Sequence, residues 1–180
     1  LQYRRSEIVK DLVVEDKVEI GLIAYPEPHT KITTTPFGTD HLVLIVPPHH
    51  SLAARHNIRL KRIYGEPFIA FDAGIPTRKA IDKALNERGV KVQIRMTNDN
   101  IDAIKRAVEV GLGISIVPSR TVREEVRKGT LKSIAFSDVK LHRPLAILTL
   151  KGHTLSSPAQ LFIQMLTNIR SLPFDHDGIP

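Results

Sequence analysis

Between Thr97 and Ser119 the chain reads TNDNIDAIKRAVEVGLGISIVPS, and this order of signals narrows the possible folds more than any other stretch. Asn98 and Asp99 suit the start of a helix. Asp102 adds a carboxylate to its first turn, where unpaired N–H groups favour one. Ile101, Ile104 and Val108 recur at helical spacing, with Ala107 beside them. Gly111 fits a left-handed helix stop, and Gly113 permits a close backbone approach. Leu112, Ile114, Ile116 and Val117 form an apolar run closed by Pro118. A short helix followed at once by a buried strand predicts a parallel α/β sheet. The open N-terminus of such a helix suits a small polar or anionic ligand, although the same pattern also serves as a ligand-free βα unit.

The rest of the chain alternates in the same way. Leu1 to Arg5 fits the end of a strand, and Ser6 a helix cap ahead of an apolar face of Ile8, Val9, Leu12 and Val13. Strands are predicted over Val18–Tyr25, Ile32–Phe37 and His41–Val46, with a turn at Thr39-Asp40. LVLIV reads as buried on both faces, and Pro47-Pro48 stops it. A basic turn of helix is expected at Ile58–Ile63 and a buried strand at Pro67–Phe71. A helix capped by Thr77 follows, with stripe Ala80, Ile81, Ala84, Leu85, and Gly89 ends it. Val92, Ile94 and Met96 alternate as a strand. Thr121–Lys128 is a charged helix stopped by Gly129, and Leu131–Phe136 and Leu145–Leu150 are strands. Ser157 caps a last helix whose core face is Leu161, Phe162, Met165, Leu166 and Ile169. Ser171–Pro180 reads as a loose tail. Crossings near residues 47 and 140 would divide the chain into lobe I (1–47 plus 140–172) and an inserted lobe II (48–139), with 173–180 as tail. Ligands in such architectures bind where strand ends meet.

Composition removes several alternatives. The 180 residues contain no cysteine, which excludes a disulfide scaffold, an iron–sulfur site and a thiol nucleophile, and fits a reducing, cytoplasmic compartment. No apolar run approaches the ~18 residues of a membrane helix. The first residues are polar and charged, unlike a signal peptide. Because residue 1 is Leu, the chain reads as a fragment of a longer one. A formal charge of +7 favours acidic partners, but the cations occur as separate pairs such as Lys61-Arg62 and Arg78-Lys79, and aromatics are 5%. That is not the footprint of a nucleic-acid surface. The eight histidines lack the spacing of a metal site, so no metal is expected. There is neither a GxSxG elbow nor a GxGxxG fingerprint, and catalysis and a bound cofactor are not expected.

Four motifs in order carry a resemblance: LVLIVPPHHSLA, PFIAFDAGIPTRKAIDKALNERG, NIDAIKRAVEVGLGISIVPS and LAILTLKGHTLSSPAQLFIQML. Together, from about Tyr3 to Ile169, the chain resembles the effector-binding domain of LysR-type transcriptional regulators. The resemblance implies a two-lobe, periplasmic-binding-protein-like (type II) α/β fold, each lobe a mostly parallel sheet with flanking helices around a cleft. It implies an effector-sensing role for a small, anionic metabolite. DNA would be reached only through a winged helix-turn-helix that this chain does not contain. No membrane partner is implied. Homodimers are, and tetramers for a full-length regulator. It also implies that the domain's first strand and helix precede this segment. Glu19 departs from the family's usual Asp.

The loops that line the effector cleft in that family map here to Tyr25 and Pro26, to Gly74, Ile75, Pro76 and Thr77, to Asn98, Asp99 and Asn100, and to Pro118. Thr77, with a hydroxyl and helix N–H groups behind it, suits a carboxylate or phosphate. Thr77 and Asn98 equally suit plain helix capping. Two other classes share the architecture: a solute-binding protein of a transport system, and an enzyme built on the same lobes, for which no residue speaks.

Overall fold

The computed structural model describes residues 1–2 and 4–169. The tail and the side chain of Ile169 lie outside the described residues. In chain order the elements are α1 (Ser6–Val14), β1 (Gly21–Ala24), β2 (Ile32–Val46), β3 (Asn57–Ile58), β4 (Pro67–Phe71), α2 (Pro76–Glu87), β5 (Gln93–Asn98), α3 (Ile101–Glu109), β6 (Ser115–Pro118), α4 (Arg123–Lys128), β7 (Lys132–Phe136), β8 (His142–Leu150) and α5 (Ser157–Ile169). Short 3-10 turns occupy Leu60–Ile63 and Ser119–Val122.

The chain forms two units, Leu1–Thr39 with Pro144–Pro180, and Asp40–Arg143. The chain changes unit inside β2 and β8 rather than in the loops near residues 47 and 140. The turn expected at Thr39-Asp40 is absent, because β2 runs on through it. Asp40 stays in the strand, 4% exposed, because its Oδ1 accepts from the His41 N–H at 2.9 Å and the Ser119 hydroxyl at 3.2 Å. A buried carboxylate needs such donors.

In the first unit β1 pairs antiparallel with β8, Gly21 opposite Leu148. Helix α1 lies on β1, and Val13, Ile23, Ile32 and Leu148 form the core with Val9 and Val14 against it. A Cβ on Gly21 would meet Val9 Cγ1 at 2.8 Å, so this glycine sets how closely the helix sits. Ile8, expected on the buried face, is exposed. No strand occurs among the described residues before α1, and Arg5, not Ser6, is its N-cap.

Glu19 joins the approach to β1 to the start of α5. Its carboxylate accepts from the Ser156 N–H at 2.7 Å and the Ser156 hydroxyl at 3.0 Å, which holds its pKa below the usual carboxylate value. The Ser156 oxygen in turn accepts from the Ala159 N–H at 3.4 Å, so Ser156 rather than Ser157 does the capping. The expected core face of α5 is not a core here. Leu161, Phe162 and Met165 are exposed, Leu166 is half-buried and Ala159 is the buried contact. Helical periodicity marks an apolar stripe but not what covers it.

The second unit holds the larger core, with Leu44, Ile45, Ile69, Ile104, Ile116 and Ile134 almost fully inaccessible. The apolar end of β2 is flanked by β6 and β7, both antiparallel to it, and β7 pairs in parallel with β3. Strands β4 and β5 are parallel, and Ile114 bridges in parallel to Phe68. Pairing is therefore mixed rather than mostly parallel; β6 follows the parallel direction beside β4 while running against β2. The LVLIV end of β2 has a neighbour on each edge, and Leu42–Val46 are buried throughout, as an unbroken apolar run covered on both faces requires.

Candidate functional site

The parallel strands align three of the four expected loops. Phe71, the last residue of β4, is opposite Asn98, the last of β5, and the Asp72 N–H donates to the Asn98 carbonyl at 3.2 Å. Beyond Ile114, β6 continues in the same direction to Pro118. The carboxyl ends of β4, β5 and β6 thus bring Gly74–Thr77, Asn98–Asn100 and Pro118 to one edge of the second unit. In open α/β sheets this is the ligand-binding edge. Tyr25 and Pro26 follow β1 in the first unit. Tyr25 has φ +53°, uncommon for a residue with a Cβ, and its N–H donates to the Pro144 carbonyl at 2.9 Å.

Helix α2 starts differently from the expectation. Ile75 is its N-cap and Pro76 occupies the first turn; Thr77 lies inside the helix, so it is not the cap. Ile75 has no side-chain oxygen to offer, and no side chain caps this terminus. Thr77 is 4% exposed, and its hydroxyl makes no hydrogen bond with the described residues. Helix α2 is fixed to β4 by Arg78, whose Nε donates to both Asp82 oxygens at 2.8 Å and whose Nη1 donates to the Phe71 carbonyl at 2.8 Å. The spacing of Arg78 and Asp82 is visible in the sequence as an i,i+4 pair, but the bond to Phe71 is not.

At α3 the caps are shared out in sequence. Asn98 Oδ1 accepts from the Asn100 N–H at 2.8 Å, and Asn100 Oδ1 accepts from the N–H groups of Asp102 at 2.8 Å and Ala103 at 3.4 Å. Asn100 is therefore the cap, and Asn98 shapes the turn before it. Both asparagine oxygens are committed, which turns their amide N–H groups into what remains for a ligand.

Lys105 links α3 to the chain after Pro118. Its Nζ reaches Glu125 Oε1 at 2.8 Å, Asp102 Oδ1 at 2.9 Å and the Thr121 carbonyl at 3.1 Å. Burial works against its charge, yet the hydrogen bonds to Glu125 and Asp102 prevail and raise its pKa. Ser119, beside Pro118, is held by Asp40 as described above. Nothing in the sequence pairs Asp40 with Ser119; only the folded neighbourhood of β2 and β6 does.

No three histidine, aspartate, glutamate or cysteine side chains among the described residues could together hold a metal ion. His50 lies 3.6 Å from Glu66, and His153 3.1 Å from Asp16. No helix among the described residues is long and apolar enough to cross a membrane.

Known proteins decide the family. The sequence pattern of the LysR substrate binding domain matches residues 1–169. The chain belongs to this family. A LysR relative, the "Probable RuBisCO transcriptional regulator" of Cyanophora paradoxa, is 31% identical over 166 residues, 89% of this chain and 51% of its own length. The chain thus spans about half the length of the curated relatives it matches. The Synechocystis PCC6803 CcmR regulatory domain, solved in complex with 2-PG, superposes with a TM-score of 0.83 at 24% identity, over 94% of this chain and 81% of that one. The effector binding domain of QuiR, in complex with shikimate, gives 0.81 at 21% identity, over 93% and 79%. At these identities the structures establish the LysR regulatory-domain fold, two-lobed and periplasmic-binding-protein-like.

Proposed function

We propose that this chain is the effector-sensing part of a cytoplasmic, bacterial LysR-type transcription regulator. Its ligand is a small anionic metabolite bound at the aligned carboxyl ends of β4, β5 and β6. The observation that carries this reading is Thr77: a nearly buried hydroxyl without a protein partner, on a helix whose N-terminus no side chain caps. Such a group suits an incoming carboxylate or phosphate oxygen. The amide N–H groups of Asn98 and Asn100 would add donors, with Gly74, Ile75, Pro76 and Pro118 shaping the loops. Asp99 would take a hydroxyl or amine of the same ligand rather than its anionic group. Tyr25 and Pro26 join the set on the strength of the family resemblance. Neighbours of the same fold solved in complex with 2-PG and shikimate support the ligand class.

In this reading the domain binds and does not catalyse. Effector binding favours one of two arrangements, and that preference passes to DNA-binding heads carried by the remainder of a regulator. A homodimer, and a tetramer at full length, is the assembly through which the signal travels. The exposed apolar residues of α5 support association. The curated relatives are named as transcription regulators, which supports this role over solute transport.

The test is calorimetric titration of the full chain with 2-PG and with shikimate as probes, for the parent and for Thr77→Val. The substitution keeps the shape and removes the hydroxyl. The expected result is affinity lowered about tenfold, as for loss of one hydrogen bond to a charged group, with the ligand-free melting temperature unchanged. Equal affinity in the two proteins would overturn the assignment.

A further inference from the structure

From His41 to Gly65 the chain contains no acidic residue but four permanent cations, Arg55, Arg59, Lys61 and Arg62. This stretch builds β3 and the 3-10 turn over Leu60–Ile63 in the second unit. It is firmly seated: Leu52, Ile58, Leu60 and Ile63 are buried, and Asn57 and Ile58 pair in parallel with Ala135 and Phe136. On this scaffold a cavity of about 300 Å³ opens among Leu52, Arg55, Asn57, Ile58 and Arg62.

Neither guanidinium has a hydrogen bond or ion pair with the described residues. A carboxylate does reach this segment: Asp138 Oδ1 accepts from the Leu60 N–H at 2.9 Å, and the Asp138 carbonyl accepts from Arg88 Nη2 at 3.2 Å. That carboxylate is turned to the backbone and is not paired with Arg55 or Arg62. Two uncompensated cations therefore border one concave space with an amide between them.

We propose that this cavity binds a small phosphate-type oxyanion. Arg55 and Arg62 would each present planar paired donors, the geometry that matches phosphate oxygens, and Asn57 would supply a further donor. A doubly charged anion would also relieve the repulsion between the two guanidiniums. The apolar walls at Leu52 and Ile58 and the small volume of this open concavity suit a small molecule. A nucleic-acid backbone needs an extended basic stripe instead. The cavity is built from β3 and its flanking turns, not from the loops after β4, β5 and β6. The proposal is therefore independent of the effector site.

Titration calorimetry of the full chain with pyrophosphate at constant ionic strength tests it, on the parent and on Arg55→Gln, Arg62→Gln and the double variant. We expect saturable binding by the parent, weakening by about tenfold in each single variant, and none in the double. Because both side chains are exposed and unpaired, melting without pyrophosphate should be the same in all four proteins. Absence of saturable binding by the parent, or undiminished binding by the double variant, overturns the proposal. A short DNA duplex of unrelated sequence is the second arm. Binding of the duplex that depends on both arginines, with none of pyrophosphate, would also overturn it in favour of a backbone-phosphate contact.

Discussion

Gly113 sits against the backbone of Pro67 so closely that a Cβ on it would lie 2.6 Å from the Pro67 carbonyl oxygen. The same contact carries a hydrogen bond, from the Ile114 N–H to that oxygen at 2.9 Å. The glycine is needed for proximity, and the start of β6 is registered on β4 through it. Gly113→Ala should cost about 1–3 kcal/mol or more, the range of overpacked sites with no flexible neighbour. Urea unfolding measures it. Gly111→Ala, at φ +81° with His49 Nε2 at an ordinary contact distance of 3.7 Å from the added Cβ, should cost about 1 kcal/mol, from backbone strain.

The capping order at α3 makes a sharper distinction. Asn100→Ala removes the acceptor for two helix N–H groups and should lower stability by about 1 kcal/mol. Asn98→Ala, two residues earlier, removes one acceptor for a turn N–H rather than two helix N–H groups and should cost less. A larger loss in urea unfolding from the Asn98 variant than from the Asn100 variant would contradict the observed start of the helix.

Arg78 is 11% exposed at its side chain and makes three charge-assisted bonds. Arg78→Met retains most of its packing and strands the Phe71 carbonyl. A loss of about 1–3 kcal/mol is expected. Thermal melting with and without Asp82→Ala separates the ion pair from the bond to β4. If the Asp82 variant alone reproduces the whole loss, the contact with Phe71 contributes nothing.

Glu19 predicts a pH dependence of definite sign. Its folded pKa is lowered by the Ser156 N–H and hydroxyl, below the unfolded value of 4.5. The contribution is therefore fully present above pH 4.5 and is lost as pH falls through the folded value. Glu19→Gln should be less stable than the parent at pH 7, and the difference should shrink at pH 3. Paired urea midpoints at the two pH values check this. An unchanged difference would mean that the ionised carboxylate is not what holds α5.

Much of the second unit was readable in advance because its signals are local. Pro67–Phe71 is a strand with the bounds expected, Gly111 and Gly129 are left-handed stops, and Leu42–Val46 is buried throughout. The loops named for the effector follow from the resemblance, and their alignment follows from parallel pairing. What could not be read rests on distant partners. Asp40 looks like a turn residue until Ser119 is beside it. Thr77 and Ser157 look like caps, but Pro76 and Ser156 set where those helices begin. The stripe on α5 has the period of a buried helix, yet no described element covers it. Antiparallel pairing of β6 with β2 is likewise invisible to a signal that extends only from α3 to Pro118.

The pairing of Gly21 with Leu148 has a bearing on synthesis. Everything from Asp40 to Arg143 is one contiguous piece and can close as soon as it has left the ribosome. Strand β1, made before β8, has to wait for it before the hydrogen bonds between them can form. Over that interval the edge that β8 will cover is an unpaired template on which a strand of another chain can add.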